Sequence, residues 1–287
     1  MDDQTRQQAI YLYDRFTHEG MERRAFMAEM VKLAGSLAAA EVLIAGIAAS
    51  PAAAAIVPAD DKRLTTRTQT LTGGYKAYVA GPRTRSLKTT VLVIHENRGL
   101  NDHIRDVARR LAVAGFRAVA PDMLSPSGGT PANEDAARDA IGKLNLGKSV
   151  ADAVAMVDEL KRSSRGGKVG AVGFCWGGGF VNRLAIAAGS KLDAAVVYYG
   201  PAPDPSEAPK VQAPIEFHNA GLDDRVNAGS FPWINALRAG GKTVKFFLYE
   251  GVNHAFNNDT SAERYNKPAA DLAWKRTLVF FHQRLER

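Results

Sequence analysis

A chain of 287 residues, 46% hydrophobic and 23% charged, has the composition of a globular protein able to bury one large core or two small ones. Its single cysteine, Cys175, excludes an internal disulfide and a structural metal site built from cysteines. The formal net charge of +7 is spread thinly, and its densest cluster, "KRSSRGGK" at 161–168, has no interleaved aromatics, so it reads as a solvated turn and not as a nucleic-acid patch.

Residues 1–55 differ in composition from the rest of the chain. "MERRAFMAEM" carries the paired arginines Arg23 and Arg24 and then Phe26, and an alanine-rich stretch runs from Ala34 to Ala55, closing on the small residues of "AASPAAAA". Paired arginines, a modest apolar segment and a small-residue exit are similar to a twin-arginine export signal. The sequence therefore predicts a leader over 1–55, the twin-arginine export machinery as a partner and a periplasmic destination. The competing reading is a cytoplasmic N-terminal helix in which "IYLYDRF" packs on a core. Glu29, Lys32 and Glu41 interrupt the apolar run, which favours that second reading. They also argue against a stable membrane anchor, which needs about 20 apolar residues.

Residues 56–287 read as one domain. A hairpin is expected over 64–80, with Gly73-Gly74 at its middle. "TTVLVIHE" (89–96) is a short β-branched run of the kind buried in a parallel sheet, and a helix capped by Asn101 or Asp102 follows it. "FRAVAPDM" (116–123) predicts the next strand, 147–162 a helix, and "KVGAVGFC" (168–175) a strand that runs straight into helical spacing from Phe180. Strands at 192–200, 213–221 and 243–251 alternate with helices near 228–239 and 268–285. Repeated strand–helix units imply an α/β fold with a mostly parallel sheet and helices on both faces.

Cys175 falls in "GFCWGGG", between a strand ending near Phe174 and a helix beginning near Trp176. That is the context of a nucleophile elbow, G-x-S-x-G, with cysteine in place of serine. A sharp strand-to-helix turn strains the nucleophile's backbone, and side chains at Gly173 or Gly177 would collide there. The helix points its first amides at the sulfur, which favours negative charge and leaves the Trp176 N–H free for an oxyanion. A dinucleotide loop is not spelled, and a buried structural cysteine survives only if no acid and base follow in order. They do: Asp223 and Asp224 stand in "NAGLDDRVNAG" after one strand, and His254 stands in "YEGVNHAFNND" after the last. The order nucleophile, acid, base is that of the α/β-hydrolase fold, whose sites are built at the carboxyl ends of strands. Asp223 is preferred because Val226 can anchor its loop; Asp224 is then solvated beside Arg225.

These residues, with the stretch "HENRGLNDHIRDVARRLAVAGF" (95–116), resemble the dienelactone hydrolase family from roughly residue 65 to the C-terminus. The resemblance implies a Cys175–His254–Asp223 triad, with Glu96 at the end of an early strand helping to deprotonate the thiol. It also implies a second oxyanion donor at the Asn97 N–H, and arginines that hold a substrate carboxylate. Here Asn257 and Asn258 follow "HAF" where that family has an arginine, and Arg98 is near enough to substitute. A plain ion pair of Glu96 with Arg98 or Arg105 is the alternative role for that acid. The expected reaction is hydrolysis of a small-molecule lactone or activated ester through a thioester, without cofactor or metal, "HE" at 95–96 lacking the second histidine of H-E-x-x-H. The competing class is a non-catalytic ligand-binding protein on the same scaffold.

Overall fold

The computed structural model describes residues 2–48, 55–84 and 88–286. Helices come first: α1 (Asp3–His18), α2 (Arg23–Ala34) and α3 (Leu37–Ile47). The Asp2 carboxylate accepts from Thr5 N–H and Ser36 Oγ from Ala39 N–H, so α1 and α3 each start on a capping side chain. Gly35, at φ +82°, ends α2 in the left-handed conformation, and the axis then bends by 106° into α3. Tyr13, Phe16, Phe26, Met30, Leu43 and Ile47 belong to a small apolar cluster that these three helices keep to themselves. Among the described residues no single helix is long and apolar enough to cross a membrane, although α2 and α3 pass that test as a bent pair. Residues 49–54, most of the expected "AASPAAAA" exit, lie outside the described residues.

One eight-stranded sheet follows. Its strands are β1 (Leu64–Thr70), β2 (Lys76–Pro82), β3 (Thr90–Ile94), β4 (Arg117–Pro121), β5 (Val169–Phe174), β6 (Ala194–Tyr198), β7 (Ile215–Ala220) and β8 (Val244–Tyr249), in the order β1-β2-β4-β3-β5-β6-β7-β8. The β1–β2 hairpin sits at one edge, antiparallel to itself and to β4, and every other pairing is parallel. Every residue of β3, β5, β6 and β7 is buried, as the mainly apolar runs of β3, β5 and β6 require, and β7 also buries Glu216, His218 and Asn219.

The helices of this domain are α4 (Asp102–Val113), α5 (Glu134–Gly142), α6 (Leu146–Ser163), α7 (Trp176–Ala188), α8 (Asp224–Ala239) and α9 (Lys267–Leu285). Ile104, Val107 and Leu111 of α4 and Phe280 and Phe281 of α9 cover one face of the sheet. Met156, Leu160, Phe180, Leu184, Trp233 and Leu237 of α6, α7 and α8 cover the other. Burial of each such side chain contributes about 1.5–3 kcal/mol before its ordering cost. Two elements differ from the sequence expectation: α5 was not anticipated, and α8 begins at Asp224 because the Asp223 carboxylate caps it through Val226 N–H.

Register puts the site at the carboxyl ends of the parallel strands. Ile94 lies opposite Gly173, Phe174 opposite Tyr198, Tyr198 opposite His218, and Ala220 opposite Tyr249. The loops carrying Glu96, Cys175, Asp223 and His254 therefore leave the sheet side by side.

Candidate active site

Cys175 joins β5 to α7 with φ +54° and ψ −117°. That conformation costs a residue bearing a Cβ about 1–3 kcal/mol. It is held by Cys175 N–H donating to Tyr198 O at 3.0 Å and by Gly179 N–H donating to Cys175 O at 3.1 Å. The flanking glycines are obligatory. A Cβ on Gly173 would stand 2.1 Å from Gly177 O, and one on Gly177 would stand 2.4 Å from Ile94 O. As the first residue of α7, Trp176 has no carbonyl four residues back within the helix to take its N–H. Its ring is fixed by stacking on His95, at 5.6 Å between centroids.

His254 follows β8. Its Nδ1 lies 2.5 Å from Asp223 Oδ2, while Asp223 Oδ1 accepts from Val226 N–H at 3.2 Å. Both side chains are buried. Burial pulls the imidazole down, but Asp223 and then Cys175 outweigh it and raise His254 to about 10, so it holds its proton at neutral pH. Burial pushes the Asp223 carboxyl up, and His254 and Arg225 more than reverse this, leaving it below the usual carboxylate range. Asp224 is exposed, and Arg225 lies 4.0 Å from Asp223 Oδ1. A ring nitrogen of His254 stands within 4.8 Å of Sγ; since Nδ1 is engaged by Asp223, it is Nε2, which has no hydrogen-bond partner, that is left to face the sulfur.

Glu96, just past β3, is buried in the same small cavity as Cys175 and His254. Its Oε2 accepts from Asn258 Nδ2 at 2.7 Å, and its Oε1 has no hydrogen-bond partner. Neither arginine considered for it reaches it: Arg105 pairs with Asp102 at 2.8 Å and Arg98 with Glu134 at 3.1 Å. Arg98 also donates to Tyr13 Oη at 2.5 Å and is only 8% exposed; it lines the same small cavity and is engaged there by α1. Asn97 lines the cavity and donates from Nδ2 to Thr17 O at 3.4 Å.

The cover over this site is α1. His18 Nε2 lies 3.9 Å from Cys175 Sγ, and its ring meets that of His254 edge-on at 5.0 Å. Burial, and then the charge of His254, push the His18 imidazole well below its usual value. Arg264 donates to Asp14 at 3.2 Å and lies over the Tyr13 ring, Ser261 Oγ donates to Ile47 O at 2.6 Å, and Glu263 N–H donates to Gly46 O at 3.1 Å. The cavity left beside the sulfur is about 10 Å³, room for one water molecule. The sequence offered Cys175, Asp223, His254, Glu96, Asn97, Trp176 and Arg98 as site residues; Cys175, His254, Glu96, Asn97 and Arg98 line one cavity, Asp223 contacts His254, and Trp176 follows Cys175 in the chain. It did not offer His18, Tyr13 or Arg264, and it raised Asn258 only as a replacement for an arginine. "IYLYDRF" as a helix packed on a core describes what α1 does here.

A mostly parallel sheet with a strained cysteine elbow after β5, an acid after β7 and a histidine after β8 defines an α/β-hydrolase. More narrowly, the chain belongs to the dienelactone hydrolase family, whose family model matches residues 75–285. It is 32% identical over 246 residues to a protein of Saccharolobus solfataricus described as "Putative carboxymethylenebutenolidase", covering 72% of this chain and 93% of that one. A Klebsiella pneumoniae crystal structure described as "Putative Dienelactone Hydrolase" superposes with a TM-score of 0.67 at 27% identity, covering 77% of this chain and 99% of that one. Dienelactone hydrolase from Anabaena variabilis, at 21% identity and a TM-score of 0.63, shares the fold over 78% of this chain and 99% of its own. The protein is thus a dienelactone hydrolase-like carboxylic ester hydrolase.

Proposed function

We propose that the enzyme opens a lactone or an activated ester through a thioester on Cys175. Sγ attacks the carbonyl carbon, and the tetrahedral oxyanion is held by the N–H groups of Trp176 and Asn97, each contributing on the order of 10²–10³ in rate. Collapse expels the alkoxide or enolate, which takes the proton carried by His254. His254, now neutral and oriented by Asp223, deprotonates a water that hydrolyses the thioester and frees Cys175. Glu96 is the second base beside the sulfur, its free Oε1 available to a thiol proton. The observation that carries this reading is the buried 2.5 Å contact of His254 Nδ1 with Asp223, which leaves Nε2 free toward the elbow cysteine.

Substrate larger than water needs α1 displaced. The paired arginines of α2 and the alanine-rich stretch after it support export by the twin-arginine route, with residues 1–55 as its signal. N-terminal sequencing of protein from the host envelope tests this, and an intact Met1 confined to the cytoplasm contradicts it. Turnover of p-nitrophenyl acetate and of a lactone panel including dienelactone, beside Cys175→Ala, tests the chemistry. Hydrolysis lost in the variant supports it; equal and negligible turnover in both, with α1 removed, supports a binding protein.

A further inference from the structure

Hydrolysis needs one histidine beside the sulfur, and two are present. Cys175 Sγ and one ring nitrogen each of His254 and His18 lie within 4.8 Å of one another, and the Sγ to His18 Nε2 distance is 3.9 Å. In a tetrahedral zinc site, with Zn–S of about 2.3 Å and Zn–N of about 2.05 Å, sulfur and nitrogen stand roughly 3.6 Å apart. The Cys175–His18 pair is within a few tenths of an ångström of that spacing.

The surroundings match as well. His254 Nδ1 is bonded to the Asp223 carboxylate, the outer partner that fixes a ligating imidazole and raises its basicity. His254 Nε2 is buried, lacks a hydrogen-bond partner, and faces the cluster. The cavity at this point has room for one water-sized group. One thiolate and two imidazoles select a borderline-soft ion; magnesium and calcium require oxygen ligands.

We propose that, in the chain that still carries residues 1–55, Cys175, His254 and His18 form a site for Zn²⁺ that switches the hydrolase off, an inference resting on the Cys175–His254 mechanism. The ion takes the sulfur lone pair that attacks substrate and the Nε2 lone pair that receives protons. Binding displaces those protons to solvent, with no redox change. Because His18 is the last residue of α1, the same ion fastens α1 across the pocket.

The test uses the full chain, stripped of metal and titrated with Co²⁺ as a spectroscopic stand-in for Zn²⁺. One equivalent of Co²⁺ gives a thiolate-to-cobalt charge-transfer band and tetrahedral visible absorption, both discharged by Zn²⁺. The band is absent in Cys175→Ser, and affinity falls at least about tenfold in His18→Ala and in His18→Asn, with folding checked by circular dichroism. Zn²⁺ inhibits ester turnover over the same concentration range, and a chelator reverses it. Absence of the band at stoichiometric cobalt, or affinity unchanged in both His18 variants, overturns the proposal. If the chain gives the band but ester is turned over neither by the metal-free chain nor by the chain freed of α1, the hydrolase mechanism fails and the metal site still stands.

Discussion

His18 Nε2 stands 3.9 Å from Cys175 Sγ, so the last residue of the first helix faces the sulfur of the elbow. Substrate and α1 therefore compete for one volume. Cutting the metal-free chain at a protease site placed between 49 and 54, and separating the N-terminal piece, raises both iodoacetamide labelling of Cys175 and ester turnover by roughly tenfold or more, each 1.4 kcal/mol of docking free energy holding back the open form about tenfold. The fold shared with the Klebsiella pneumoniae structure takes in 99% of that chain but 77% of this one. Unchanged labelling after the cut contradicts α1 as the cover.

The two neighbouring aspartates separate by mutation. Asp223→Asn removes the carboxylate that holds His254 and lowers kcat by on the order of 10²–10⁴. Asp224→Asn alters an exposed side chain and changes stability by no more than about 0.5 kcal/mol, with kcat kept. Steady-state kinetics of the pair decide the matter, and the reverse ranking assigns the acid to Asp224.

Asn258 acts through Glu96. Its Nδ2 donates to Glu96 Oε2, so Asn258→Ala leaves a second buried carboxylate oxygen unpaired and costs about 1–3 kcal/mol of stability. If Asn258 only braces the fold, kcat per folded molecule stays put. As a positioning residue it lowers kcat with KM nearly constant, and Asn258→Gln restores part of the loss.

His254 gives the metal-free protein a signature in alkali. Its folded value is about 10 against an ordinary 6.5, so its proton stabilises the native state fully below pH 6.5, and that contribution is lost as pH rises through 10. Urea unfolding of the parent and of His254→Gln, compared at pH 6 and pH 10, shows a stability gap that narrows by a few kcal/mol at the higher pH. A gap that widens contradicts the protonated imidazole.

His18 has the opposite sign. Docked, it is held neutral by burial and by His254; released, it titrates near 6.5. Undocked α1 gains a proton that docked α1 does not, so docking weakens as pH falls below about 6.5. Hydrogen exchange of residues 3–18 in the metal-free chain, corrected for intrinsic rates, is less protected at pH 5.5 than at pH 7.5. Stronger protection in acid contradicts this.

Much of the domain was legible because its signals are local. The β-branched run at Thr90–Ile94, the small apolar run at Val169–Phe174 and the glycines crowding Cys175 each specify their own conformation from neighbours in sequence. Asp223 was separable from Asp224 by the apolar anchor Val226, whose N–H indeed meets the carboxylate. What stayed hidden depends on contacts far apart in the chain. Glu96 meets Asn258 across 162 positions, and Arg264 meets Asp14 across 250. The docking of α1 is specified by Arg98, Asn97 and Arg264 on its partner surface, none of which carries a pattern pointing to an N-terminal helix.

Rapid quenching of the α1-free enzyme during its first turnover of p-nitrophenyl acetate, followed by mass spectrometry of the Cys175 peptide, tests the central claim most directly. The account predicts one acetyl group on Cys175, formed in a burst and decaying at the turnover rate, with neither adduct nor turnover in Cys175→Ser. Full turnover by that variant, or an acetyl group that never decays, would contradict it.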